Sequence, residues 1–310
     1  MAIVSRERRL ALKHKLGSFL FSVFRTVLIL GIAYIILYPV LSKLSSSFMS
    51  RRDLIDQTVK YIPKRPTLDN YRFAMEVMNF SKTFTNSLLL SVVVATLQLV
   101  SSTFVGYGLA RFRFKGRNLV LAAAIFTLIV PPQMMMVPLY LNWRFFNIYG
   151  LIPGQGFNLL NSPWPFILTA LTGTGLRNGL FILVMRQFFA GMPSSLEEAA
   201  YVDGAGPLRT FIQIMLPSAV PSMVVVFLFG FVWQWNDSFL TTLYLDSNFL
   251  PVALSNITTR LAQYFGKTDP QYFSLITNAG SMLMIAPLLI MYAVLQRYFV
   301  ESIERTGLVG

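Results

Sequence analysis

The chemistry visible in this sequence is that of ligand binding, and it begins with a short run of aromatic and polar residues. Trp233, Trp235, Asn236 and Asp237 stand at the end of a long apolar run. Aromatic rings pack on the apolar faces of a sugar, while amide and carboxylate groups form hydrogen bonds with its hydroxyls. The run therefore suits a polyhydroxylated ligand. Because tryptophan is enriched at membrane interfaces regardless of ligand, a purely structural interpretation also fits.

A second polar pair, Arg177 and Asn178, lies near the middle of an apolar segment at 165–189. An arginine at the centre of a membrane helix costs about 2.5 to 3.5 kcal/mol on insertion scales, so it should face protein or water. Glycines on both sides of the pair can loosen the helix, as in segments that line a cavity. We expect the pair to border a substrate pathway. The alternative is that the membrane helix starts later and leaves Arg177 near an interface.

Catalytic and metal-binding patterns are missing from the sequence. The only histidine, His14, stands among basic residues, and there is no cysteine, which argues against a metal or nucleophilic site. The Gly-Lys-Thr at 266–268 is not a phosphate-binding loop, because Leu261 stands where the first glycine is needed. We therefore expect no catalytic residue, no metal and no cofactor in this chain.

The segment 197–217, EEAAYVDGAGPLRTFIQIMLP, is helix-forming but contains no membrane-length apolar run. Ser195 and Glu198 fit a capping box, and Gly204 suits the left-handed position that ends a helix. The sequence therefore predicts a helix over 196–203, about 12 Å long at 1.5 Å per residue. Such a short helix would form a peg that docks into another protein. The alternative is a helix packed on its own bundle.

Composition places the remaining helices in a membrane. Of the 310 residues, 55% are hydrophobic and 13% charged, which is too apolar for a soluble domain. Six mostly apolar segments of about 20 or more residues are long enough to span a bilayer. They cover residues 20–42, 84–110, 119–141, 165–189, 218–243 and 275–299. We predict an all-α polytopic protein with six transmembrane helices, comprising a basic N-terminus (1–19), a membrane domain (20–300) and a tail (301–310).

The net charge of +13 is spread over the loops and ends, so anionic lipid headgroups explain it better than nucleic acid does. The basic N-terminus and the four cations within 111–117 indicate the cytoplasmic side. With six spans, both termini and the loop 190–217 are then cytoplasmic. The loops 43–83, 142–164 and 244–274 are then external.

Several motifs resemble one known family. Residues 198–217 fit the pattern Glu-Ala-Ala, three residues, Gly, nine residues, Ile, one residue, Leu-Pro, which resembles the signature loop of the membrane subunits of binding-protein-dependent ABC importers. In order along the chain, PTLDNY, NSLLLSVVVA, VPPQMMMVPLYL, RQFF and WQWND resemble the carbohydrate-uptake branch. The subunit resembled is the smaller of two permeases in maltose-type and oligosaccharide-type importers. The resemblance covers most of 60–310 and implies the fold of an ABC type I importer.

The resemblance implies two places where the chain couples to an ATPase. In the family, the signature loop docks into the ATP-hydrolysing subunit. The residues implied for this loop are Glu197, Glu198, Ala199, Ala200, Asp203, Gly204, Ile214, Leu216 and Pro217. In the branch, a C-terminal tail enters the interface between the two ATPase subunits; the alternative here is a frayed terminus. The residues implied for the tail are Glu301, Glu304, Arg305 and Gly307.

The resemblance also implies an assembly in the plasma (inner) membrane that imports carbohydrate. Its partners would be a homologous second permease, two ATP-binding cassette subunits that bind ATP and Mg²⁺, and an external sugar-binding protein. The external loop around 150–164 is longer than is usual for the branch. A secondary transporter or channel acting alone is the main alternative, but it should carry several intramembrane carboxylates or histidines, and only Asp237 qualifies. A non-transporting assembly or sensory subunit is the second alternative.

Overall fold

The computed structural model describes residues 2–148, 150, 154, 156–175, 177–245 and 248–307, and the side chains of 17–297 within those ranges. Within this part of the chain the regular structure is helical, with one isolated β-bridge between Phe146 and Phe157. The helices are α1 (Ala2–Ser47), α2 (Arg51–Ile55), α3 (Asp69–Val77), α4 (Phe80–Arg111), α5 (Arg117–Ile129), α6 (Met136–Arg144), α7 (Trp164–Leu171), α8 (Asn178–Gly191), α9 (Ser195–Val202), α10 (Pro207–Thr210), α11 (Leu216–Ser218), α12 (Val220–Asn236), α13 (Phe239–Tyr244), α14 (Leu250–Ser255), α15 (Ile257–Phe265) and α16 (Pro270–Gly307).

Three helices are long and apolar enough to cross a membrane by themselves: α1 from Gly17 onward, α4, and α16 as far as Arg297. Three bent pairs also reach membrane length and apolarity. These are α5 with the stretch Pro132–Arg144 (94°), α8 with α9 (69°), and the stretch Pro207–Ser218 with α12 (74°). The described residues thus provide three spans, or up to six if each bent pair counts as one. The predicted class, an all-α polytopic membrane protein, is confirmed.

Three of the predicted spans contain breaks between helices. The segment 119–141 breaks at Pro131, which follows an extended Val130 and leads into a 3₁₀ turn at Pro132–Met135. Proline supplies no backbone N–H and disfavours helical geometry in the residue before it, so the helix ends there. The segment 218–243 breaks at Asp237, whose backbone is extended.

The segment 165–189 breaks between α7 and α8. Gly173 (φ +74°) and Arg177 (φ +63°) both have left-handed backbone conformations, which a continuous α-helix does not contain. Arg177 therefore does not lie inside a helix, and α8 begins at the residue after it. This is the later helix start that the sequence left as an alternative.

Both predicted terminal segments continue neighbouring helices. Helix α1 already begins at Ala2, so no break in the backbone separates 1–19 from the first span. Helix α16 extends to Gly307, through most of the predicted tail 301–310. Residues 308–310, and the side chains of Glu301, Glu304 and Arg305, lie outside the described residues, as do residues 151–153 and 155 of the predicted long loop at 150–164.

The chain divides into two compact units, of which the first contains Met1–Ala74 and Asp269–Met282. Its loop after α1 is ordered by buried polar contacts. Asp53 is 3% exposed and forms a capping box with Ser50 at the start of α2. Two exposed ion pairs, Arg51–Asp269 (2.6 Å) and Lys64–Asp56 (3.0 Å), lie in the same unit. Hydrogen bonds from Thr58, followed by Lys64, lower the pKa of Asp56 to about 2.

The second unit, Met75–Thr268 and Leu283–Gly310, is organised around α4, which packs against α7, α8, α12 and α14. The closest approach is at Gly106, where an added Cβ would lie 2.7 Å from the Cβ of Met185. Only a glycine allows α4 and α8 to touch at this distance. The aromatic core around Tyr107, Phe189 and Phe211 lies beside this contact.

Candidate functional site

The predicted peg exists and lies within one residue of the predicted range 196–203. Helix α9 covers Ser195–Val202, and Gly204 takes the expected left-handed conformation with φ +81°. Pro207 then opens α10. The predicted capping box is wrong. Ser194 is the N-cap and already has helical backbone angles, and the carbonyls of Pro193 and Ser194 accept the first backbone amides, so Ser195 lies inside the helix.

Two neighbouring glutamates of the peg have different surroundings. Glu197 is 9% exposed, and its Oε1 accepts a hydrogen bond of 2.9 Å from the hydroxyl of Tyr107. Its Oε2 lies 3.4 Å from Nε of Arg111, whose Nη2 donates to the carbonyl of Met192. Glu198 is exposed. Glu197 thus fastens α9 to the end of α4, while Glu198 remains at the surface.

The outer surface of the loop is apolar. We name it the docking face and define it by Leu196, Glu198, Tyr201, Val202, Leu208 and Ile212. Val202 is 87% exposed and Leu208 66%, which is unusual for branched aliphatic side chains in the middle of a folded loop. Ala199 is exposed and Ala200 is buried, so only Ala199 places a small side chain on the outer surface of the loop. Exposed apolar patches of this kind occur at protein or membrane interaction sites.

The remaining signature residues hold the second half of the loop in shape. Asp203 ends α9, and its backbone N–H bonds to the carbonyl of Ala199. A π-helical turn, Phe211–Met215, follows α10, and the N–H of Leu216 bonds to the carbonyl of Phe211. Pro217 follows Leu216 and has no backbone N–H, so it cannot continue the regular series of helix hydrogen bonds. Ile214 and Leu216 are half-buried and Pro217 is exposed.

Four of the six predicted pathway residues line one cavity of about 470 Å³, here named the Arg177 cavity. They are Arg177, Trp233, Asn236 and Asp237, and the segment 127–133 forms the opposite wall. The guanidinium carbon of Arg177 lies 5.1 Å from the ring centre of Trp233, a cation–π contact. The sequence separated these residues by more than fifty positions, and the break before α8 brings them together.

The polar groups of this cavity are already engaged in part. Asp237 accepts hydrogen bonds from the backbone N–H groups of Leu240 (3.2 Å) and Thr241 (2.9 Å), so it also caps α13. Asn236 donates to the carbonyl of Val232. The Trp233 ring stacks with Phe181 and Phe229 at centroid distances of 5.5 and 5.6 Å. These neighbours compete for the ring faces on which a sugar would stack.

The other two predicted pathway residues belong to the helix core. Asn178 is 1% exposed, and its amide nitrogen donates to the hydroxyls of Ser101 (3.2 Å) and Ser102 (3.1 Å). Trp235 is fully buried, and its Nε1 donates to the carbonyl of Met284 at 3.1 Å. Neither residue lines the Arg177 cavity.

Tyr107 and Arg111 are functional candidates that sequence reasoning missed. Arg111 was counted only as a loop charge, and Tyr107 as part of an apolar span. Their spacing of four residues was the available signal, because it places both side chains on one face of a helix end. That face meets Glu197. Among the described residues, no group of three or more His, Cys, Asp or Glu side chains could hold a metal ion.

The fold and the loop together define a polytopic helical membrane protein with an exposed peg between two membrane helices. Residues 102–305 match the family of binding-protein-dependent transport system inner membrane components, and the chain belongs to this family. It is therefore a transport permease subunit, as the signature loop indicated.

Named relatives support the resemblance to the carbohydrate-uptake branch. The chain is 31% identical to the alpha-glucoside transport system permease protein AglG of Rhizobium meliloti, over 78% of this chain and 60% of that protein's length. It is 33% identical to the diacetylchitobiose uptake system permease protein NgcG of Streptomyces coelicolor, over 87% of this chain and 83% of the relative. The arabinooligosaccharides transport system permease protein AraQ of Halalkalibacterium halodurans is 29% identical over 90% and 93%.

A solved structure confirms the architecture. A chain of a bacterial ABC transporter involved in the import of the acidic polysaccharide alginate superposes with a TM-score of 0.73. The alignment covers 90% of this chain and 96% of that one, at 23% sequence identity. At this identity the likeness establishes the fold, which is the predicted type I importer fold.

Proposed function

We propose that this chain is one of two homologous permease subunits of an ATP-driven carbohydrate importer in the plasma (inner) membrane. The observation that carries the proposal is the docking face, an exposed apolar surface on a peg that Glu197 fastens to α4. The names of the relatives, which refer to alpha-glucosides, diacetylchitobiose and arabinooligosaccharides, support a sugar as the cargo.

The partners follow from what the chain lacks and what it exposes. It has no phosphate-binding loop, so ATP and Mg²⁺ bind to two separate ATP-binding cassette subunits, one of which receives the docking face. The docking loop and both termini are then cytoplasmic, and an external sugar-binding protein delivers the cargo on the opposite side. The chain itself has no hydrolytic role.

Coupling runs through rigid contacts. When the ATPase subunits close, they move α9, and the hydrogen bond from Tyr107 to Glu197, together with the ion pair between Arg111 and Glu197, carries the movement to α4. The contact of Gly106 with Met185 makes α8 move with α4. Helix α8 has 14 residues, so Arg177 at its far end lies roughly 21 Å from the loop at 1.5 Å per residue. Tilting of α4 and α8 as one body would therefore reshape the Arg177 cavity.

The test is reconstitution. This chain would be purified with candidate second permease, ATPase and binding-protein subunits from the same organism, and inserted into proteoliposomes. We expect stable co-purification and ATP-dependent uptake of at least one of maltose, arabinobiose, galactobiose and diacetylchitobiose. Uptake driven by an ion gradient without any ATPase would instead establish a secondary transporter. Co-purification without uptake of any sugar would remove carbohydrate as the cargo.

A further inference from the structure

A second cavity, of about 350 Å³, adjoins the Arg177 cavity and is lined by groups that the sequence did not single out. We name it the glutamine cavity. Its polar lining consists of Gln98, Gln234, Thr127, Thr169, Thr174 and Arg177. Arg177 and Thr127 belong to both cavities, so the two form adjoining compartments within the second unit.

One polar group in this lining has no partner. Gln234 is 4% exposed, and none of the described residues offers a hydrogen-bond acceptor within reach of its Nε2. A buried amide donor that stays unpaired is destabilising, and native proteins usually supply such a group with a protein, water or ligand acceptor. A rotation of this buried amide toward the cavity would bring its Nε2 within reach of an acceptor bound there.

The backbone beside this amide is that of a discontinuous helix. Helix α7 ends at Leu171 and α8 begins at Asn178, and backbone hydrogen bonds within the break, such as Thr174 N–H to the carbonyl of Thr169 and Asn178 N–H to that of Gly175, hold it in shape. Broken helices at membrane depth occur where they line a cavity, and transporters use them to bind substrates. The side chain of Gln98 packs closely against Gly175 in the break. A Cβ at residue 175 would lie only 3.1 Å from Nε2 of Gln98, so a larger residue there would crowd this amide.

The lining also limits the chemistry of the ligand. The described lining contains amides, hydroxyls and one guanidinium but no carboxylate, which disfavours a cation. The rings of Phe166 and Tyr244 supply apolar surface. A volume of about 350 Å³ is near the lower end of small-molecule pockets, which span ~300–1,000 Å³, so only part of an oligosaccharide fits.

We infer that the glutamine cavity binds one ring of the transported carbohydrate, whose hydroxyls accept from Gln234 and pair with Gln98, Thr169 and Thr174. This inference rests on the proposed function and extends it, because it makes this subunit contact the cargo directly. The site lies roughly 21 Å along α12 from its start near the docking loop, since 14 residues separate Val220 from Gln234. It is therefore deep enough to be opened and closed by movements of α4 and α8.

The first experiment uses the absence of cysteine from the chain. Thr174→Cys introduces a thiol into the cavity, and Thr268→Cys provides a matched control that is also exposed but lines neither cavity. Both variants are assembled into the complete complex and labelled with the water-soluble reagent MTSET, with and without each of maltose, arabinobiose, galactobiose and diacetylchitobiose.

A sugar that the complex transports should slow labelling of Thr174→Cys about tenfold at a concentration ~10 times its dissociation constant, by simple occupancy. Labelling of Thr268→Cys should not change. Equal labelling of Thr174→Cys with and without a transported sugar would mean that the cavity holds only water, and would overturn the inference. If the complex transports none of the sugars, the proposed function itself fails, which is a different result.

The second experiment compares Gln234→Leu with Gln296→Leu, which alters an exposed glutamine on α16. Gln234→Leu should raise the KM for uptake about tenfold, the loss expected for one hydrogen bond to a ligand, and leave ATPase binding unchanged. Gln296→Leu should leave KM unchanged. An unaltered KM in Gln234→Leu contradicts the inference. If that variant does not assemble, the labelling of Thr174→Cys, in which Gln234 is intact, decides.

Discussion

At the scale of single residues, Glu197 and Glu198 differ in their contacts, although the sequence assigned both to ATPase coupling. A helix turns about 100° per residue, so neighbouring side chains of a short surface helix face different directions. Glu197 faces Tyr107 and Arg111, and Glu198 faces outward. Glu197 thus belongs to the internal contact with α4, and Glu198 belongs to the docking face.

We predict that Glu197→Gln weakens the chain itself. The substitution removes the negative charge beside Arg111, whose side chain is 13% exposed, and leaves that cation without its ion-pair partner. The expected loss is about 1–3 kcal/mol of stability, seen as a lower Tm of the purified complex. Glu198→Gln is the matched control, since it should leave Tm unchanged and lower only the affinity for the ATPase. Equal Tm values for the two variants would contradict the division of tasks.

A second prediction concerns Val202, the most exposed aliphatic residue of the docking face. Val202→Asp should reduce co-purification of the ATPase, because a carboxylate would have to be desolvated at the interface. The fold should persist, because the side chain is already exposed. Ile55→Asp, at a site 78% exposed but away from the loop, should leave ATPase binding intact. Undiminished binding by Val202→Asp would show that the partner does not cover this residue.

Residue spacing also explains which pathway residues the sequence could predict. Trp233 and Trp235 were grouped because both belong to one motif, yet two positions along a helix differ by about 200°. Trp233 therefore lines the Arg177 cavity, and Trp235 points into the core. Gln98 and Gln234 were missed because each lies inside an apolar run, where a single amide does not alter a hydropathy average.

At the scale of elements, the main difference between prediction and structure is the breaks in the spans. Apolar content shows which segments can enter a membrane but not where a helix stops within them. Pro131 and Pro132 were visible as interruptions. The break before α8 depends on left-handed conformations at Gly173 and Arg177, and arginine carries no sequence signal for that geometry.

The contact between α4 and α8 gives a third prediction. In Gly106→Ala the new methyl group would lie 2.7 Å from the Cβ of Met185 and 2.9 Å from the backbone nitrogen of Arg186, so the helices must separate. We expect a loss of about 1–3 kcal/mol, measured as a lower Tm, together with reduced uptake. Gly108→Ala is the control on the same helix. Its new Cβ meets nothing within 4 Å, and it should stabilise by about 0.5–1 kcal/mol.

The end of α16 gives a fourth prediction. Its backbone is helical to Gly307, which favours an ordered element over a frayed tail. Deleting 303–310 should impair ATP-driven transport while leaving assembly partly intact, because contacts with the ATPase subunits would be lost but the docking face would remain. Uptake and co-purification measured on the same preparation separate the two effects. Unchanged uptake would exclude a coupling role for the tail.

At the scale of the whole molecule, the described chain leaves much apolar surface uncovered. In the most apolar 18-residue stretch of α1 no residue is buried. Large side chains of this helix such as Phe19, Phe24 and Ile35 are more than 60% exposed. This surface requires lipid and, under the proposed function, a second permease. The sequence predicted this class because composition and the order of motifs are global properties, whereas cavities depend on contacts between distant residues.

The π-helical turn at Phe211–Met215 holds one residue more than a regular helix of the same span would. Deleting Gln213 would convert that turn into a regular α-helical turn. The part of the loop that precedes it would then rotate by about 100° relative to α12. Ile212 and Leu208 would then no longer lie on the side of the loop on which they are exposed. Under the proposed function, the orientation of the docking face relative to α12 thus depends on this turn, so an insertion or deletion here should uncouple ATPase binding from transport.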